Sequence, residues 1–116
     1  MLIFVYGTLK RGHSNHGYLR GQCFIGMAMT EPAFRLHDLG GYPGMVSDQA
    51  AGISIHGEVW EIDPECLARL DDLEGISIGE YSRESVPLLP PFDHQQIAGY
   101  RFLQDVSEAR DIGGSW

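Results

Sequence analysis

"ISIHGEVWEIDPECLARLDDLEG", residues 53–75, contains the point at which the hydrophobic period of the chain changes. From Ile53 to Ile62 apolar and polar residues alternate, the period of a half-buried strand. Asp63-Pro64 then supplies a helix N-cap followed by proline at the first helical position, where a missing N–H costs nothing. Ile62 and Leu67 fall at the two positions that staple a helix start through an apolar contact. Leu67, Leu70 and Leu73 line one face of a helix of about three turns, and Gly75 is placed to end it in a left-handed conformation. Elsewhere the sequence predicts only one further helical turn.

Working outward, the segments on both sides read as strands and turns. Leu2 to Tyr6 is a buried strand, Gly7 to Gly12 a loop, and Ser14 or Asn15 caps a short helical turn running to Leu19. Gln22 to Thr30, "QCFIGMAMT", suits a strand whose glycine marks a bulge. "AFRLHDL" from Ala33 alternates as a strand, and "GGYPGMV" after it reads as a loop. Downstream, "EYSRESVPLL" and "QIAGYRFL" are two strands separated by the turn "PPFDH", and "ARDIGGSW" is a glycine-rich tail whose Trp116 is expected to pack on the body. Strands in runs with few helices predict one α+β domain over residues 1–116, its sheet curling toward a small barrel, rather than an alternating βαβ fold.

Composition narrows the function. The 116 residues carry 8 Lys and Arg against 16 Asp and Glu, a formal charge of −8. That balance repels a phosphate backbone, so no nucleic acid is expected and a small soluble ligand is. The two cysteines, Cys23 and Cys66, form no CxxC pair and read as reduced core thiols. The apolar run from Met1 to Val5 is too short for a signal peptide, and no later stretch is long enough to span a bilayer, so no membrane is expected and a cytoplasmic location is.

Two stretches carry chemistry. In the loop after the first strand, a glycine-containing turn ahead of a helix start exposes backbone N–H groups that suit an anion or a carbonyl oxygen. A left-handed backbone at Gly7 would make a side chain there costly to stability and to affinity alike. "GTLKRGHS", residues 7–14, matches the phosphate-loop pattern except that His13 replaces the lysine. Without that permanent charge, and without a parallel βαβ unit, a nucleotide site is not expected. His13 and His16 read as a surface pair rather than metal ligands. At the helix end, Asp71, Asp72 and Glu74 face the negative pole of the helix and one another. Whichever of them is buried should have a raised pKa, useful to a general base. The sequence does not choose among the three.

Taken together, "FVYGTLKRG", an asparagine in the short helical turn, "YPG", "GEVWEID", "LDDLEG" and "EYSR", in that order, resemble the gamma-glutamylcyclotransferase-like family, and most closely its gamma-glutamylamine cyclotransferase branch. The resemblance implies a small mixed barrel-like sheet with few helices. It implies release of 5-oxoproline and a free amine from a gamma-glutamyl amide, with no metal or cofactor. It assigns Glu74 as the catalytic acid/base, and Tyr6, Gly7, Thr8 and Leu9 as the turn that holds the gamma-glutamyl group. Tyr81 and Arg83 match the aromatic and basic positions that follow, and Tyr42 with Pro43 a loop at the cavity mouth. Because the family also contains members without the glutamate, a catalytically weak ligand-binding or regulatory domain of the same fold is the alternative. The leaving amine and the oligomeric state stay open.

Overall fold

A computed structural model describes all residues from 1 to 116. Strand β1 (Leu2–Val5) lies at the centre of a five-stranded sheet. It pairs antiparallel with β5 (His56–Glu61), which in turn pairs with β2 (Cys23–Met29). On its other side β1 runs parallel to β7 (Ala98–Phe102), which pairs antiparallel with β6 (Tyr81–Ser85). A second sheet has the order β4 (Pro43–Ser47), β3 (Phe34–Asp38), β8 (Arg110–Gly113). Isolated bridges Thr30–Leu88 and Phe34–Ile53 join the irregular segments, so the sheets curl around one another without closing fully. The result is a mixed α+β fold with a single α-helix, α1 (Pro64–Leu73).

The centrality of β1 explains its unbroken apolar sequence. Ile3 and Val5 pack on one side with Leu70 and Cys66 of α1, whereas Phe4 and Tyr6 pack on the other with Leu36 and Met45 of the second sheet. A strand covered on both faces has no position for a polar side chain. Helix α1 begins as its sequence dictates, with the Asp63 carboxylate accepting from Cys66 N–H at 2.7 Å and Pro64 in the first turn. Gly75 ends it at φ 66°, ψ 39°. The bulge expected in β2 is present, with a register shift between Phe24 and Gly26.

Several expectations change. "GGYPGMV" does not remain a loop, since Pro43 opens β4 and pairs with Asp38. Gly44 belongs in that strand because a Cβ there would lie 2.8 Å from Leu39 and 2.9 Å from Phe102. The tail also supplies a strand, β8, which pairs with β3. Cys66 is a buried thiol but Cys23 is exposed, on the solvent side of edge strand β2. His16 is drawn inward rather than left on the surface, its Nδ1 3.0 Å from the Leu9 carbonyl and its ring 5.3 Å from that of Trp60. Trp116 is half-buried, and its carbonyl accepts from Lys10 Nζ at 3.1 Å. No helix is long and apolar enough to cross a membrane.

Candidate active site

The turn after β1 is held from behind. Lys10 N–H donates to the Gly7 carbonyl at 3.1 Å, Asn15 N–H to the Thr8 carbonyl at 2.8 Å, and Asn15 Nδ2 to Thr8 Oγ1 at 2.9 Å. Thr8 Oγ1 therefore accepts from Asn15 and keeps its own proton to donate. The N–H groups of Gly7, Thr8 and Leu9 donate to no acceptor in the protein. Gly7 is not in the left-handed region; its requirement is space, because a Cβ would meet the Pro43 ring at 2.6 Å.

This turn, the loop from Gly41 to Pro43 and the C-terminal end of α1 enclose a cavity of about 350 Å³. Tyr6, Gly7, Thr8, Leu9, Tyr42, Glu74 and Tyr81 all line it. Arg83 does not: it is exposed on β6, with Nε 2.9 Å from Asp71 Oδ1. Of the three carboxylates at the helix end, Asp72 is exposed, and Asp71 is engaged by Arg83 and by the Tyr100 hydroxyl at 2.8 Å. Glu74 alone of the three reaches the cavity, from the C-cap of α1.

Burial, and secondarily the negative charge of Glu80, push the Glu74 carboxyl up to about 7. A carboxyl poised there can both take and return a proton near neutral pH. The surrounding phenols stay protonated. Burial pushes Tyr6 and Tyr81 far up, and each is tied to the backbone, Tyr6 donating to the Tyr100 carbonyl at 2.7 Å and Tyr81 to that of Pro43 at 2.9 Å. Tyr6 also accepts from Met45 N–H at 3.2 Å, so one phenol connects β1, β4 and β7 beneath the cavity.

Eight lining residues lie outside the sequence assignments, among them Glu80, Tyr100 and Asn15. Asn15 was legible as a helix cap and as part of a motif rather than as a wall of the cavity, and the strand pattern around Tyr100 carries no mark of a site. Glu80 stands six positions beyond Glu74 and returns to it because Gly75 and Gly79 both adopt left-handed backbones. The intervening turn closes through Glu80 N–H to the Gly75 carbonyl at 3.1 Å.

Residues 3–116 match the family model described as gamma-glutamyl cyclotransferase, AIG2-like. A Vibrio cholerae protein named "Putative gamma-glutamylcyclotransferase" is 46% identical over 112 residues, 97% of this chain and 92% of that one. Among solved structures, an AIG2-like protein from Mus musculus superposes with a TM-score of 0.84 at 30% identity, covering 99% of this chain and 86% of the mouse chain. Escherichia coli ytfP gives 0.73 at 33% identity, with 100% of this chain and 96% of the other covered. With nearly its whole length matched in sequence and in fold, the chain belongs to the gamma-glutamyl cyclotransferase, AIG2-like family.

Proposed function

We propose that the protein is a gamma-glutamyl cyclotransferase that converts a gamma-glutamyl amide into 5-oxoproline and a free amine, with Glu74 as its acid/base. The observation that carries this reading is the juxtaposition, across one cavity, of a half-buried Glu74 and a turn with three undonated N–H groups. The nucleophile is the substrate's own α-amine, so no serine or cysteine is required. Tyr6, Gly7, Thr8 and Leu9 hold the gamma-glutamyl group folded for ring closure, with Tyr42 and Tyr81 completing the wall. Arg83 supports the site indirectly, by securing Asp71 on α1 and through it the Tyr100 hydroxyl. Holding the amine against the γ-carbonyl supplies up to about 7–11 kcal/mol of the barrier.

Glu74 takes a proton from the neutral α-amine as its nitrogen bonds the carbonyl carbon of the γ-amide. The carbonyl oxygen becomes an oxyanion, and N–H groups of the Gly7–Leu9 turn stabilise it by roughly 3–4 kcal/mol per donor. Glu74 then returns the proton to the departing nitrogen, the former amide bond breaks, and no water is consumed. The α-amine, the γ-carbonyl and Glu74 account for every atom and proton moved, so the step draws on no cofactor. Two unpaired cysteines, one of them exposed, fit the reducing cytoplasm as its compartment.

The test is 5-oxoproline release from gamma-glutamyl amides by the wild type and by Glu74→Gln. Glutamine keeps the shape but cannot exchange the proton, so turnover should fall by about 10²–10⁴-fold while the protein stays folded. Undiminished release by the variant removes Glu74 from the mechanism. A folded wild type that releases nothing favours the ligand-binding alternative.

A further inference from the structure

One charged group of the cavity has no place in the reaction. Glu80 lines the cavity beside Glu74, and no Lys, Arg or His stands among the lining residues. It forms no ion pair, and its closest side-chain partner is the Tyr42 hydroxyl at 3.5 Å, too long to neutralise it. Its backbone is nevertheless fixed, by Glu80 N–H to the Gly75 carbonyl and by Leu103 N–H to its own carbonyl, both at 3.1 Å. Gly75 leaves room for the side chain, since a Cβ there would lie 2.9 Å from Glu80 Oε2. A carboxylate held at a cavity wall without a cation is arranged to receive one.

We propose that Glu80 selects the leaving group, favouring an amine that carries a second positive charge and no carboxylate, so that the substrate class is the mono-gamma-glutamyl amide of a diamine. This rests on the acid/base reading of Glu74. With the gamma-glutamyl half on the Gly7–Leu9 turn, the amine half extends along the wall that Tyr42 and Glu80 share. An ammonium there meets an unpaired carboxylate, whereas a carboxylate meets two like charges and no cation. Occupation of Glu80 by that ammonium also weakens the repulsion Glu80 exerts on Glu74, so the base ionises more readily with the preferred substrate bound. Arg69 stands in a shallow groove that shares Ser14 and Asn15 with the cavity. A leaving group that carries a carboxylate would have to turn that way.

The experiment compares gamma-glutamyl amides of three amines of equal length: an alkylamine, a terminal diamine and a terminal amino acid. The expected order of kcat/KM is diamine, alkylamine, amino acid, with a diamine preference on the order of fivefold that shrinks at high salt. Glu80→Gln should bring the ratio of diamine to alkylamine close to one, and Glu80→Asp should restore part of it. In the wild type the acid limb of kcat should lie at lower pH for the diamine than for the alkylamine, and the glutamine variant should erase that difference. Equal rates for diamine and alkylamine, preference for the amino acid, or an equal loss on all three in the variant would overturn the assignment. If no amide releases 5-oxoproline, the catalytic reading fails by itself, and calorimetry with the same intact amides decides the selection. Tighter diamine binding abolished by Glu80→Gln supports it, and indifference to charge overturns it.

Discussion

Gly7 and Pro43 meet at the cavity wall, and their contact shows how little room the site leaves. The ring carbons of Pro43 lie 2.6 and 2.8 Å from where a Cβ on Gly7 would sit. A proline that opens a strand cannot swing aside as the end of a flexible side chain could. Alanine at position 7 therefore pushes β4 outward, and Tyr81, whose hydroxyl is bound to the Pro43 carbonyl, moves with it. Overpacking of this kind costs about 1–3 kcal/mol, offset in part by about 0.4–1 kcal/mol from the lower entropy of the unfolded chain. Gly7→Ala should lower the midpoint of thermal unfolding by several degrees. Measured on the Glu74→Gln background, it should also weaken binding of an intact gamma-glutamyl amide. A variant with unchanged midpoint and affinity would mean that the wall yields freely.

Helix α1 places Glu74 by being anchored at both ends. At its start, Asp63 accepts from Cys66 N–H at 2.7 Å and from Gln22 Nε2 at 3.1 Å, linking the helix to the segment ahead of β2. Asp63→Ala removes both bonds and should cost about 1 kcal/mol, with Asp63→Asn recovering most of it, as chemical denaturation would measure. The cap lies a full helix length from Glu74, and Leu70 and Cys66 stay buried between them. kcat/KM should therefore change far less than stability, and a parallel collapse of activity would show that the whole helix moves. This element was legible in sequence because cap, staple, apolar face and terminal glycine all lie within one short stretch. Strand β4 was not, because proline and glycine signal a turn locally. They occur in a strand here for reasons of packing, Gly44 against Phe102 and Pro43 against Gly7. Nor could the sequence choose among Asp71, Asp72 and Glu74. That choice depends on Arg83 and Tyr100, which arrive from strands later in the chain and engage Asp71. The return of Glu80 was hidden for a related reason, since it depends on two left-handed glycines acting together.

Across the molecule, two sets of carboxylates drive stability in opposite directions with pH. Burial pushes Glu58 up, but hydrogen bonds from Trp60 and Arg11 outweigh it and leave its carboxyl below the ordinary range. The Cys66 N–H lowers Asp63, and Arg35 lowers Asp111. Groups with depressed values stabilise the fold above their unfolded pKa, and that contribution is lost as pH falls through the folded one. Glu74 is the reverse. Its folded value of about 7 lies above the model-peptide 4.5, so the folded protein holds the proton more tightly than the unfolded chain does. Its favourable contribution is complete below about pH 4.5 and is lost as pH rises through about 7. The wild type should therefore be most stable in mildly acidic solution and weaken toward the pH at which Glu74 becomes a competent base. Glu74→Gln should flatten that upper limb, gaining roughly 1–3 kcal/mol over the wild type at pH values well above 7 and almost nothing near pH 4. Urea unfolding of both proteins across that range measures the difference directly. Parallel curves would mean that Glu74 ionises without cost, and the burial that makes it useful as a base would then be absent in solution. A gap that opens with rising pH means that the charge needed for proton abstraction is one the fold tolerates at the expense of stability, as expected of a group kept for chemistry rather than for packing.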